Sequence, residues 1–412
     1  MIKEGNKTLL IYIFFWAFLV RLITAVFYLN YDEHALTMHK PFLSDEIRST
    51  DVMQIVGNRD LYNSIATNII LYGEIGETDG RPPLYPIFLA LSYTFFGYNA
   101  FGFFIAQILL ASGTALLIFI LGERLFNREI AVLSSVLYIF NPHFILLSIQ
   151  LYSETLYFFI VLFIFHLCRK AISEPPPKFI DVYLGIAIAV AALCRHVFLV
   201  FIPFIFIWMF FVMMGNKKRM LKYIFVIFIV SALLYTPWLV YSYESVVTPT
   251  LMSISKSGWE ADDYNETERI EFSPEVYREE VDSFVIWLFK NPKYFVKRII
   301  EQFRIYFLTP YAKGVSLRHK ITSTLIFLVL YPLGYLGLIV SIIQRQKIGY
   351  LVLLFVLSMV LFHSLHFLTV ADGELRYRLP LELFITIYAA NGMVSIYNIF
   401  RKEKETEEDS GD

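Results

Sequence analysis

The chain has 412 residues, of which 57% are hydrophobic, 17% aromatic and 17% charged, with 35 Lys+Arg against 36 Asp+Glu. Ordinary soluble domains carry about 25% charged residues, so this composition excludes a soluble globular protein and predicts an all-α polytopic membrane protein. The balanced charge leaves no bulk electrostatic case for nucleic acid, and no C-x-x-C, Walker A or G-x-G-x-x-G pattern is present. Cys168 and Cys194 lie inside apolar runs and read as small buried hydrophobes, not a disulfide.

Taken in chain order, ten runs approach the ~20 apolar residues that cross a bilayer. They are Leu9–Leu29, Ala100–Leu121, Ile130–Tyr152, Thr155–Cys168, Phe179–Leu193, Val197–Met214, Tyr223–Tyr243, Ile321–Ile343, Ile348–Val370 and Leu379–Ile399. The first is too long for a signal-peptide core and has no small-residue cleavage site, so it reads as an uncleaved span. Leu84–Tyr98 would be an eleventh span, and charge decides against it. Lys and Arg near span ends favour the cytoplasm. If Leu84–Tyr98 does not cross, the basic connectors at Lys3/Lys7, Arg124/Arg128, Arg169–Lys178, Lys217–Lys222, Arg345–Lys347 and Arg401-Lys402 all fall on one side. The segment is therefore expected to be an interfacial or re-entrant helix, with both termini cytoplasmic.

This layout divides the chain into an N-terminal membrane module (1–243) with a first outer loop at about 30–99, a second outer loop (244–320), C-terminal membrane helices (321–399) and a charged, disordered cytoplasmic tail (400–412). Loops this long and aromatic are expected to be functional. In the second, "PKYFVKRIIEQFRIYFL" carries Phe295, Ile299, Phe303 and Phe307 at helical spacing. It predicts an amphipathic helix that either lies on the membrane surface or packs on the bundle.

On this topology the outer face collects carboxylates and arginines. Arg81, Glu154, Arg195 and Arg378 stand out because they are embedded in apolar sequence. Snorkelling to headgroups is the bland reading for each of them singly. Arginine forks match phosphate geometry, and a phosphate held at the membrane surface points to a lipid phosphate. A nearby carboxylate can then serve as general base toward a hydroxyl. His363 and His366 stand at i, i+3 without a carboxylate cluster, so no metal or other cofactor is implied. A transporter or lipid flippase would place paired charges at the midplane of repeated halves, and no repeat is visible here. A non-enzymatic receptor or assembly protein would leave the acid–arginine set without a use.

"RDLYNSIATNIILYGEIGETDGRPPLYPIFLALSYTFFG" (Arg59–Gly97) resembles the first outer loop of GT-C glycosyltransferases. The resemblance is to the polyprenyl-phosphate-dependent branch that includes protein O-mannosyltransferases and aminoarabinose transferases of lipid A. "LFNREIAVLSSVLYIFNPHFILLSIQLYSETLYFF", "LCRHVFLVFIP" and "ELRYRLPLELFITIYAANG" are similar to later segments of that branch, in its order, with His196 standing where the family has proline. The resemblance implies a GT-C fold of about ten transmembrane helices and two long outer loops with interfacial helices. It implies inverting transfer of a sugar from a polyprenyl-phosphate donor to an acceptor hydroxyl, of lipid, glycan or protein, outside a prokaryotic plasma membrane.

By that resemblance the base is Asp60, two residues before Tyr62, with Asp45 and then Asp51 as alternatives. Glu154 matches the second acid. Arg81 matches the basic residue at the donor phosphate, with Arg195 and Arg376 or Arg378 as further phosphate ligands. Tyr62, Tyr85 and Tyr377 line the substrate cavity, although interfacial aromatics are the ordinary reading for Tyr at this depth. The missing Trp-Trp-Asp signature and large following domain argue against an oligosaccharyltransferase and for a compact enzyme.

Overall fold

The structure, a computed structural model, describes residues 4–31, 60–76, 78, 81–242, 292–310, 317–365 and 378–410. Among these residues there is no strand. The helices are α1 (Glu4–Tyr31), α2 (Asp60–Tyr72), α3 (Leu84–Phe96), α4 (Ala100–Leu125), α5 (Arg128–Ile139), α6 (Pro142–Leu147) and α7 (Glu154–Ala171). They continue with α8 (Ile180–Cys194), α9 (Phe198–Val212), α10 (Lys217–Ser242), α11 (Pro292–Leu308), α12 (Leu317–Ile343), α13 (Lys347–Leu365) and α14 (Leu379–Ser410).

Six of these are long and apolar enough to cross a membrane: Lys7–Tyr28, Phe101–Leu125, Lys217–Ser242, Lys320–Ile343, Lys347–Ser364 and Leu379–Arg401. The expected spans at Thr155–Cys168, Phe179–Leu193 and Val197–Met214 are the shorter helices α7, α8 and α9. The run expected as one span over Ile130–Tyr152 is instead broken. α5 ends at Ile139, and Asn141 Oδ1 accepts from the His143 backbone N–H (2.9 Å) to cap the six-residue α6. Pro142 at the first helical position has no N–H to return to the preceding turn, so the Asn-Pro pair closes one helix and opens another. The tail differs as well. α14 runs unbroken to Ser410, because residues 400–410 hold helix formers and neither Gly nor Pro.

The basic connectors meet at one end of the bundle. Gln346 Nε2 donates to the Leu125 carbonyl (3.1 Å), and Trp208 Nε1 to the Lys347 carbonyl (2.7 Å). Arg219 donates to the Ala171 and Ser173 carbonyls, and Lys222 pairs with Asp181 (2.9 Å). Because α7 ends here at Ala171, its first residue Glu154 lies at the far end, about 27 Å away at 1.5 Å per residue. That is close to the ~30 Å of a bilayer core. α8 begins here and ends at Cys194, so Arg195 also lies at the far end.

α3 starts and finishes at that far end, since Arg81 before it sits by the Glu154 junction and Gly97 after it leads straight into α4, whose last residue is Leu125. Its Pro86 is the third helical residue, where an N–H would have no intrahelical acceptor, so it does not interrupt the helix. Gly97 turns the chain at φ +87°, a conformation open to glycine.

The centre of the bundle is α7, buried nearly all round. Phe165 stacks on Phe201 of α9 (5.9 Å), and meets Phe384 of α14 (4.4 Å) and Phe355 of α13 (5.8 Å). α1, α10 and α12 leave Phe15, Phe27, Phe225, Leu233, Leu325 and Leu328 exposed, as helices with a face toward lipid do. α12 and α14 cross closely. A Cβ on Gly337 would lie 1.8 Å from the Tyr388 carbonyl oxygen, and one on Gly392 2.3 Å from that of Leu333. Small residues of this kind let membrane helices approach backbone to backbone.

α11 packs on α13, with the Tyr306 hydroxyl 2.6 Å from His363 Nδ1, so the packing alternative is realised along one flank. The adjoining flank of Val296, Ile300 and Phe303 is exposed.

Candidate active site

Four far-end segments converge on Tyr62. α2 carries Tyr62 one half-turn after Asp60, which opens the helix. The Arg81 backbone N–H closes a turn onto the Thr78 carbonyl (2.8 Å), and the Arg81 guanidinium lies over the Tyr62 ring at 4.7 Å. Tyr85, fully buried on α3, meets the Tyr62 ring edge-on at 4.9 Å. From the α6–α7 junction come Ser153 and Glu154, and Arg195 arrives from the end of α8. Burial pushes the Tyr62 hydroxyl above its ordinary value against the pull of Arg195, so it stays protonated at neutral pH and acts as a neutral hydrogen-bonding group.

Glu154 is buried and pairs with Arg195, whose Nη1 lies 2.5 Å from Oε1. The Arg195 guanidinium also faces the Tyr157 ring at 5.7 Å. The junction holding Glu154 is fixed at three points. Gln107 Nε2 of α4 donates to the Gln150 carbonyl (2.7 Å), Thr155 Oγ1 donates to the Leu147 carbonyl (3.3 Å), and Cys194 Sγ approaches the Ser153 carbonyl (3.8 Å). Tyr85 in turn donates to Gln107 Oε1 (3.3 Å). On the other side of α2, Asn63 bonds Tyr93 (2.8 Å) and Tyr98 (3.0 Å), clamping α2 to α3. Two positive forks and an acid thus gather around an aromatic floor at the far end.

Arg378 belongs to a second group. Its guanidinium donates to the Thr309 and Pro310 carbonyls and lies over the rings of Tyr331 (4.9 Å) and Phe327 (5.5 Å). One turn later, Glu382 is fully buried and accepts from Asn141 Nδ2 (2.7 Å) and the Tyr331 hydroxyl (3.3 Å), with His143 Nδ1 at 3.0 Å. A carboxylate only accepts, so His143 presents Nδ1–H to it, while its Nε2 lies 2.9 Å from the Ser323 hydroxyl.

The structure therefore brings together Arg81, Arg195, Glu154, Tyr62 and Tyr85, and sets Arg378 in a neighbouring network. Asp45, Asp51, Arg376, Tyr377 and His366 lie outside the described residues, and Asp60 is placed by its backbone at the start of α2. Gln107, Ser153, Asn141, His143, Tyr331 and Glu382 were absent from the sequence-based site. Glu382 and His143 did carry a signal: each is a lone ionisable residue inside an apolar run, which marks an intramembrane polar site by default. Among the described residues no group of three or more His, Cys, Asp and Glu could hold a metal.

Residues 80–241, which contain Arg81, Glu154 and Arg195, match the family described as dolichyl-phosphate-mannose-protein mannosyltransferase. No curated protein matches the chain. Among solved structures, the archaeal oligosaccharyltransferase AglB from Archaeoglobus fulgidus, in complex with an inhibitory peptide and a dolichol-phosphate, is similar at a TM-score of 0.54 and 16% identity, over 95% of this chain and 52% of that one. ArnT from Cupriavidus metallidurans, bound to undecaprenyl phosphate, is similar at a TM-score of 0.51 and 13% identity, over 82% of this chain and 56% of that one. The chain thus spans about half the length of the solved proteins it matches. It shares the fold of both solved structures, and the family match spans the segment that holds Arg81, Glu154 and Arg195.

Proposed function

We propose that the protein is an inverting glycosyltransferase that moves a sugar from a polyprenyl-phosphate donor to an acceptor hydroxyl on the extracytoplasmic face of the membrane. The observation that carries this reading is the convergence of Arg81 and Arg195 on Tyr62 and Glu154, at the bundle end opposite the basic connectors. Basic connectors favour the cytoplasm, which supports an outward-facing site. The AglB structure holds a dolichol-phosphate and the ArnT structure undecaprenyl phosphate, and a lipid phosphate is the ligand that two arginine forks at a membrane boundary suit.

In this reaction a carboxylate takes the acceptor hydroxyl proton, and the oxygen forms a bond to the anomeric carbon as the bond from that carbon to the phosphate oxygen breaks. The electron pair leaves with the polyprenyl phosphate. Arg81, held over Tyr62, and Arg195, aimed by Glu154, stabilise that leaving charge; donors fixed in advance avoid reorganisation during the step. Glu154 is buried against Arg195, so its role is to orient that arginine. The base is Asp60, two residues before Tyr62 at the start of α2, with Asp45 the alternative. The acceptor is a hydroxyl on a lipid, glycan or protein. The flippase alternative loses support because the fold match is to transferases.

The test is a panel of polyprenyl-phosphate sugars offered to membranes containing or lacking the protein, with products read by mass spectrometry. One donor is expected to be consumed only when the protein is present. Equal consumption in both membranes for every donor overturns the reading.

A further inference from the structure

A helix break inside a bundle exposes backbone groups that lipid cannot satisfy, so such breaks persist only where protein partners meet them. The side chain that meets the break at Phe140–Asn141 is that of Asn141 itself, and Glu382, 241 residues away in sequence, anchors it by accepting from its Nδ2 at 2.7 Å. Asn141 uses its other side-chain atom to cap α6. His143, on the first turn of α6, spans from Glu382 on α14 to Ser323 on α12. Three helices and the break are thereby held by one carboxyl group that is fully buried.

Two arms leave this hub. Along the first, α6 is six residues long and runs into residues 148–153, the linker hung by Gln107, Thr155 and Cys194, which ends at the Glu154–Arg195 pair. Along the second, the Tyr331 hydroxyl donates to Glu382 while its ring carries the Arg378 guanidinium. Holding the hub fixes Arg195 through one arm and Arg378 through the other.

We propose that Glu382 is a positioning residue that sets Arg195 and Arg378 in one frame by clamping the Asn141–His143 break of α5–α6 against Tyr331 of α12. Its consequence for phosphate recognition rests on the function proposed above; the clamp itself does not. Changing Glu382 alone takes the acceptor from Asn141, His143 and Tyr331 and lowers stability in either role, whereas a positioning role also loosens the segment that leads to the Glu154–Arg195 pair.

The experiment compares the full-length protein in nanodiscs with its Glu382→Gln variant, which keeps the shape but turns an amide N–H₂ toward donors. Amide hydrogen exchange over residues 141–154 is read alongside the melting temperature and binding of undecaprenyl phosphate by native mass spectrometry. Glu382→Gln is expected to speed exchange in 141–154 by at least about tenfold, against little change in α10, and to weaken undecaprenyl phosphate by about 10–100-fold, the range that loss of a hydrogen-bond partner behind a metal ligand produces. Exchange in 141–154 equal to wild type, in a folded variant, overturns the proposal. If Glu382→Gln does not fold, Tyr331→Phe keeps the ring beneath Arg378 and removes one bond to the hub; unchanged exchange and unchanged binding there overturn it equally. A wild-type protein that binds no undecaprenyl phosphate, while Glu382→Gln still loosens 141–154, supports the clamp and overturns the donor reading alone.

Discussion

Arg195 Nη1 lies 2.5 Å from Glu154 Oε1, joining the end of one central helix to the start of another at the bundle end away from the basic connectors. Glu154 is almost wholly buried and Arg195 keeps a small exposed edge, so the acid is committed to the pair while the guanidinium still has a face to offer. Removing one member of a buried pair costs about 3–5 kcal/mol because the other charge is left uncompensated. Glu154→Ala and Arg195→Ala are each expected to lower stability on that scale, and the double variant to cost less than their sum. Strict additivity in urea or thermal unfolding would show that the two side chains do not act as a pair.

Arg81 rests on the Tyr62 ring, a contact worth about 0.5–1 kcal/mol at exposed sites and ~2 when desolvated. Lysine keeps the charge but neither the planar stack nor the fork. Arg81→Lys is therefore expected to weaken undecaprenyl phosphate nearly as much as Arg81→Ala. Wild-type affinity in Arg81→Lys would reduce the site to a point charge.

Asn141 both caps α6 and donates to Glu382. Loss of an N-cap alone costs about 1 kcal/mol, and an unsatisfied buried partner adds about 1–3 kcal/mol. Asn141→Ala should show the sum, and Asn141→Asp should restore the cap but set an acid against Glu382. Stability of Asn141→Asp equal to wild type would mean that the contact to Glu382 contributes nothing.

At Gly337 and Gly392 the backbones of α12 and α14 leave no room for a Cβ. Overpacking a core costs about 1–3 kcal/mol, and here the obstacle is backbone, which cannot rotate away. Gly337→Ala should destabilise the protein by at least that much, with Gly215→Ala, which meets nothing within 4 Å, as the neutral control. Equal melting temperatures for the two variants would contradict the close crossing.

The sequence was most legible where one physical rule acts over many residues. Charge asymmetry took Leu84–Tyr98 out of the expected crossing helices, and α3 over Leu84–Phe96 falls among the helices shorter than a span. Arg81, Glu154 and Arg195 stood out as ions in apolar runs, and they converge. The break at Asn141–Pro142 was missed because apolar length hid a helix-stopping Asn-Pro pair inside one hydrophobic stretch. Glu382 was missed for another reason: its partners Asn141 and His143 lie about 240 residues away, and no local pattern brings them together. The helical tail was missed because charge density was weighed above helix propensity.

In the proposed reaction the bond from the anomeric carbon to phosphate breaks and a glycosidic bond forms at the Tyr62–Arg81–Glu154–Arg195 cluster. The most direct measurement reconstitutes the protein in liposomes with a polyprenyl-phosphate sugar and an acceptor, and follows both lipids by mass spectrometry for wild type and Asp60→Asn. The account predicts free polyprenyl phosphate and glycosylated acceptor in equal amounts from wild type, and neither from a folded Asp60→Asn that still binds the lipid phosphate. Donor that merely changes leaflet with its sugar still attached would contradict it.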